Sequence, residues 1–411
     1  MKKEAPKHVE MKYFSTADNQ LLIGGQTAER LAARIGQTPF YAYDRSVMTQ
    51  KVQELRNLFP EQLHLHYAMK ANPMPAVVHH MAGLTDGIDV ASMAEMQVAL
   101  DTGIAPDTIS FAGPGKTDKE LTAAIAAGIM INMESEGEME RIAVLAKTLQ
   151  LTPIVSIRVN PDFELKSSGM KMGGGPKAFG VDAERVPAML ARCAELELDF
   201  RGFHIFSGSQ NLKAESLIEA HTKTFELAYR LAQTAPAPLQ WLNIGGGLGI
   251  PYFPGEQYLP LDEVAANLQV LMQEAATRLP GAEIVMELGR FFVGESGVYI
   301  CRITDIKESR GETFAVTDGG LHHHLSASGN FGQIIRKNYP VCVANRMTSD
   351  MPEKVNIVGP LCTPLDIISD KTTLPPVNIG DYIAVFQSGA YGFTASPRDF
   401  LSHPEPKQIL L

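Results

Sequence analysis

Apolar and polar positions alternate along the chain in two regimes. Between about residues 46 and 295, short runs with the two-residue period of a strand take turns with longer stretches of helical period. Strands are predicted over 63–70, 87–92, 108–113, 129–134, 154–160, 200–207, 239–245 and 284–288. Helices are predicted between them, over 93–100, 119–127, 136–149, 186–194, 216–232 and 261–276, with a further one over 47–59 leading in. Eight strand–helix units in succession predict an α/β fold of the (β/α)8, TIM-like kind.

Outside that stretch the rhythm changes. Residues 21–23 and 38–43 read as strands around a helix over 28–35, and after residue 296 the pattern is of strands and turns, over 298–307, 313–317, 354–358 and 382–386. The expected organisation is therefore a segment 1–45 that completes a β domain, a barrel over 46–295, and a β-rich, β-barrel-like domain over 296–411. A length of 411 residues suits two such domains.

Composition narrows the function classes. Hydrophobic content of 45% and charged content of 20% are those of a soluble globular protein, and a formal charge of -10 argues against nucleic acid or an anionic membrane as partner. The four cysteines, Cys193, Cys301, Cys342 and Cys362, form no CxxC pair, which fits free thiols in a reducing compartment. The stretch MKKEAPKHVEMKYF has charge but no apolar core, so no signal peptide is expected in it, no run approaches a membrane span, and the expected location is the cytoplasm. Consecutive histidines 322–324, if on a strand, point to alternate faces, so no metal site is expected of them.

In a (β/α)8 barrel the chemistry stands at the C-terminal ends of the strands. Lys70 ends the first predicted strand in LHLHYAMKANP. A lysine there either snorkels from the rim or is desolvated, with a lowered pKa, to form a Schiff base. Asp89, with Ser92 and Glu95, follows the second strand, and Arg158 and Asn160 end the fifth. His204 and then Ser207-Gly208-Ser209 follow the sixth, Gly245-Gly246-Gly247-Leu248-Gly249 the seventh, and Glu287-Leu288-Gly289-Arg290 the eighth. The glycine run is either a plain tight turn or a set of backbone N–H groups for a phosphate; Arg290 beside it favours phosphate. Glu287 either pairs with Arg290 or faces a pyridine nitrogen and keeps it protonated. His204 is a core histidine or an imidazole stacked on a flat cofactor. Cys362 is a small core residue or a proton donor.

Together these residues resemble the fold-type III pyridoxal-phosphate decarboxylases, the diaminopimelate/ornithine decarboxylase family with an alanine racemase-like fold, along nearly the whole chain. YAMKAN resembles the Schiff-base motif, HIFSGSQ the family's HxGSQ, GGGLG its phosphate loop, ELGR its EPGR, and GPLC its cysteine motif. The resemblance implies pyridoxal 5'-phosphate as cofactor, with Lys70, Asp89, Arg158, His204, Ser209, Gly246, Gly247, Glu287, Gly289, Arg290 and Tyr391 around it. It implies Lys70, Cys362 and His204 as the catalytic set, and Arg290, Arg336, Asp366 and Tyr391 at the substrate. It also implies homodimers that share active sites, with Cys362 acting across the interface. A racemase of this fold fits less well, because such racemases face the ring nitrogen with arginine.

Two departures bear on the substrate. Thr363-Pro364 follow the cysteine where the best-known members place an acid for a distal amino group. The loop after the fifth strand is long and carries Lys166, Lys171 and Lys177, read as a solvated flap, a lid or a docking surface. Both resemble the subgroup of exosortase-associated and acyl-carrier-protein glutamyl decarboxylases. The expected reaction is decarboxylation of an amino acid or of an amino-acyl group on an acyl carrier protein. The alternatives are diaminopimelate decarboxylase and a regulatory relative that binds the cofactor without turnover.

Overall fold

The computed structural model describes residues 6–163, 170–171 and 173–411. Lys166 and the side chain of Lys171 lie outside this description; Lys177 is exposed. The chain divides into two units, one of Lys51–Ile250 with Leu259–Gly289, the other of Met1–Gln50, Pro251–Tyr258 and Arg290–Leu411.

The first unit is a closed barrel of parallel strands: β1 (Leu63–Ala68), β2 (Gly87–Val90), β3 (Ile109–Phe111), β4 (Met130–Met133), β5 (Ile154–Asn160), β6 (Asp199–Ile205), β7 (Trp241–Asn243) and β8 (Glu283–Leu288). Each neighbour pairs in sequence order, and β8 closes on β1 with Glu287 opposite His66. A short ninth strand, Val181–Asp182, adds in parallel to β5. Helices alternate with the strands as the hydrophobic period predicts, from Pro75–Ala82 to Leu261–Arg278. Their starts are written locally. Thr117 and Glu120 form a reciprocal capping box, and Ser92 and Ser135 accept the N–H groups of Glu95 and Glu138. Ser92 and Glu95, which sequence places at the rim, thus serve a helix start: Glu95 Oε2 accepts the Ala91 N–H at 2.8 Å.

The second unit is built on an eight-stranded sheet. Gly297–Ser309 is its hub, pairing with Glu312–Thr317, Tyr382–Val385 and Phe40–Tyr43. Lys407–Leu410 runs parallel to Phe40–Tyr43. Apolar positions of these strands, among them Phe40, Ala42, Val298, Ile300 and Ala384, pack with Leu21, Ile23 and Leu31 from the N-terminal strand and helix. The triple histidine sits in a turn, not on a strand, and all three rings are buried, so the alternating-face argument does not hold for them.

Candidate active site

The inner face of the barrel is polar, and many of its polar groups bond one another. Asp89 Oδ1 accepts from Ser110 Oγ at 2.5 Å and lies 3.3 Å from His66 Nδ1. Ser110 Oγ accepts from Asn132 Nδ2 at 3.2 Å, and Asn132 Oδ1 accepts from Ser156 Oγ. One belt therefore crosses β1 to β5 at a single level. Nearer the C-terminal ends, Arg158 donates to Glu134 at 2.7 Å, and Glu134 also accepts the N–H groups of Gly113 at 2.6 Å and Gly180 at 3.1 Å. Asn160 holds the adjoining loop through Gly174 N, Gly175 O and Asp182. Sequence reading missed Glu134, Ser110, Asn132 and Ser156; their signal was a lone polar residue at the inward position of an apolar strand.

Glu287, on β8, is buried. Its Oε2 lies 3.0 Å from His204 Nε2, an ion pair by distance without the alignment of a hydrogen bond, and it accepts from Asn243 Nδ2 at 3.2 Å. Burial alone would raise its pKa; His204, Lys70 and Arg158 reverse that and hold the carboxyl well below the ordinary range. Arg290 is not its partner: that guanidinium donates to Tyr252 Oη at 3.0 Å and lies 4.8 Å from the Tyr391 ring centroid, all within the β-rich unit.

Lys70 stands just beyond β1, in the 3-10 turn Met69–Ala71 rather than on the strand. The buried Tyr67 donates its hydroxyl to Asn72 O at 2.8 Å, and Asn72 N–H returns to Met69 O at 3.0 Å, so the YAMKAN sequence folds back on itself just beyond the strand. The side chain is exposed, with Nζ 5.6 Å from the Phe206 ring centroid. Of the two sequence readings of this lysine, its exposure agrees with the rim position.

The glycine run is laced to the HIFSGSQ segment. Asn211 N–H donates to Gly247 O and Gly249 N–H to Asn211 O, each at 2.9 Å, while the Gln210 side chain bonds both Ile250 O and Ile250 N–H. Ser209 is half-buried next to it. A Cβ on Gly246 would lie 1.9 Å from Glu287 O, so only glycine brings this backbone against the end of β8. Gly289 backs onto Ala68 and Ala71 of the lysine turn.

In the β-rich unit Cys362 is an exposed free thiol. Four residues on, buried Asp366 accepts the Leu361 N–H at 2.8 Å and the Leu321 N–H at 2.6 Å. Arg336 donates to Ser328 O, Ile367 O and Asn338 Oδ1 at 2.8–3.1 Å. Among the described residues no cluster of three or more metal-binding side chains is present, and no helix is long and apolar enough to cross a membrane.

Residues 45–294 match the model of the pyridoxal-dependent decarboxylases, described as their pyridoxal binding domain, and the chain belongs to that family. Its cofactor is pyridoxal 5'-phosphate and its reaction class decarboxylation. Among curated relatives, the L-glutamyl-[BtrI acyl-carrier protein] decarboxylase of Niallia circulans is 36% identical over 91% of this chain and 89% of its own length. The diaminopimelate decarboxylase of Aquifex aeolicus is 31% identical over 97% of this chain and 92% of its own. Among solved structures, the M. jannaschii diaminopimelate decarboxylase in complex with L-lysine superposes with a TM-score of 0.89 at 25% identity, covering 97% of this chain and 93% of that one.

The barrel residues fit the cofactor on their own evidence. Asp89 Oδ2 and both ring nitrogens of His204 are buried with no hydrogen-bond partner, on strands β2 and β6 of the barrel that also carries the buried Glu287. Glu287 is a buried carboxylate held ionised, the partner a protonated ring nitrogen needs.

Proposed function

We propose that this chain decarboxylates an amino acid, or an amino-acyl group carried on an acyl carrier protein, with Lys70 as the cofactor-bearing lysine and Cys362 as the proton donor. The observation that carries the reading is the buried Glu287 carboxylate 3.0 Å from His204, with the Lys70 turn following β1, the strand that pairs with β8. Pyridoxal phosphate, when bound, supplies an aldehyde that takes up an amine and a protonated ring that accepts the electron pair freed by loss of CO2. Lys70 Nζ is the amine that holds it between turnovers. Glu287 would keep the proton on the ring nitrogen, and His204 would stack against the ring. Asp89 and Arg158 line the pocket. Ser209, Gly246, Gly247 and Gly289 would hold the phosphate side, the glycines by backbone N–H groups. Cys362 Sγ would be the group that supplies a proton to Cα.

Asp366 and Arg336 take different roles from those expected of the sequence. Both oxygens of Asp366 are occupied by backbone N–H groups, and the Arg336 guanidinium is spent on main-chain carbonyls. We read them as braces of the 321 and 361 loops rather than as substrate contacts.

The carrier-bound reading is supported by the 36% identity with a decarboxylase of that kind and by Thr363-Pro364 after the cysteine. The 31% identity with a diaminopimelate decarboxylase favours the free diamino acid as second reading. A CO2-release screen over carrier-tethered glutamate, free glutamate and meso-diaminopimelate separates them: turnover of the tethered substrate alone supports the first, turnover of meso-diaminopimelate alone overturns it. Borohydride reduction followed by peptide mapping places the cofactor on Lys70; a label elsewhere defeats the assignment. The expected assembly is a homodimer in the cytoplasm.

A further inference from the structure

His66 is a buried ionisable group on the barrel's inner face to which the cofactor assignments give no task. It lies four residues before Lys70, on β1, and its Nδ1 is 3.3 Å from Asp89 Oδ1. Its seat is made for it: a Cβ on Gly87 would lie 2.4 Å from both Cε1 and Nε2 of the imidazole, so the ring occupies a notch that any other residue would fill. On its other side His66 lines a cavity of ≈ 380 Å³ at the N-terminal ends of the strands, shared with Asp107, Arg201, Gln240, Trp241 and Glu283. A roomier cavity of ≈ 520 Å³, lined by Gln62, Gln269, Gln273 and Leu279 among others, holds no titratable group.

We propose that His66 is a positioning residue for Asp89: seated over Gly87, it fixes the carboxylate through Oδ1 so that the unpartnered Oδ2 serves the cofactor, and it links that carboxylate to the opposite end of the barrel. The proposal rests on Asp89 lining the cofactor pocket. Two donors on Oδ1, the imidazole N–H and the Ser110 hydroxyl, leave Oδ2 as the remaining acceptor. The charged groups that face His66 are Asp89 on β2, Glu283 on β8, and Asp107 and Arg201 around the cavity. Glu283 is taken up by His64 at 2.7 Å and Arg201 by Asp199 at 2.6 Å, so Asp89 is the acid bound by the His66 ring. Loss of the imidazole N–H takes one of the two donors from Oδ1 and leaves the carboxylate held by Ser110 alone.

The test uses the full-length holoenzyme with His66→Phe, His66→Gln and Asp89→Asn. The cofactor band at roughly 410–430 nm is titrated against pH, and cofactor affinity is measured by fluorescence. His66→Phe is expected to displace the acid limb of the band's pH profile and to weaken cofactor binding about tenfold. His66→Gln, which keeps a donor, restores both in large part, and His66→Phe adds nothing further in the Asp89→Asn background. A His66→Phe protein that is less heat-stable but has an unmoved acid limb and unchanged affinity overturns the proposal, as does a full shift that persists with Asp89→Asn. A second readout needs no cofactor: imidazole 15N shifts of the cofactor-free chain should show Nδ1–H in the wild type and lose that preference in Asp89→Ala, and an unchanged tautomer overturns the proposal. Failure of the parent reading shows separately, as a wild-type protein with no borohydride-sensitive band.

Discussion

His204 Nε2 and Glu287 Oε2 stand 3.0 Å apart with both side chains almost wholly withdrawn from solvent. A carboxylate in that setting stays charged only because its surroundings outweigh the loss of water, and here the imidazole, Lys70 and Arg158 do so. The pair supplies negative charge at the end of β8 without Arg290, which the β-rich unit engages through tyrosines.

Glu287→Gln removes that charge while keeping shape. The expected outcome is a fall in kcat/KM of at least about 100-fold, or ~2.7 kcal/mol in barrier, read by CO2 release. The pH dependence has a definite sign. A carboxyl whose folded pKa lies below its ordinary value of 4.5 contributes stability that is present above that pH and lost as pH falls toward the folded value. The wild type should therefore lose more stability than Glu287→Gln on acidification below about pH 4.5, measured by denaturant unfolding.

The thiols separate by burial. Cys193 is pushed up to about 12 by burial, and burial raises Cys301 and Cys342 as well, while Cys362 is exposed. A thiol-reactive chromophore should titrate one fast cysteine in the native protein and four after unfolding. Cys362→Ser should abolish the fast phase; fast labelling that survives this substitution contradicts the assignment.

Lys116 and Glu138 form a buried pair at 2.7 Å, with Lys116 Nζ also donating to Gly113 O and Asn132 O at 2.8 Å. Lys116→Met leaves a buried carboxylate without its cation and should cost about 3–5 kcal/mol, whereas Lys116→Met with Glu138→Leu should recover most of that loss. Denaturant unfolding of the single and double variants checks both numbers.

Gly246→Ala drives a methyl into Glu287 O. The glycine loop must retreat, so cofactor affinity should fall by at least about tenfold, ~1.4 kcal/mol, with a smaller loss of thermal stability. Equilibrium titration with pyridoxal phosphate reads the difference; unchanged affinity means the loop does not carry the phosphate.

Much of the barrel could be read from periodicity. The strand predicted over 154–160 is Ile154–Asn160, and the helix predicted over 136–149 is Glu136–Leu149, because each shows one strong period bounded by turn or capping residues. The site was legible where a residue ends a strand, as Glu287 does. It was not legible where a side chain's neighbours come from elsewhere in the chain. The turn that carries Lys70 is closed by the Tyr67 hydroxyl reaching Asn72 O. Asp366 reads as a polar site residue until Leu321, distant in sequence, is seen to donate to it. Lys407–Leu410 carries too short a pattern to announce a strand and gains its meaning only beside Phe40–Tyr43. His322, His323 and His324 could not be told from a strand by spacing alone.

The linked side chains of Asp89, Ser110, Asn132 and Ser156 act as a ratchet on the staves they join. Sliding one stave along its neighbour by two residues would keep inside and outside unchanged, so oily packing alone would tolerate it, yet each tooth would then miss its mate. Misassembled closed forms are thereby disfavoured before any ligand arrives, and the mouth residues inherit their alignment from that interlock below them.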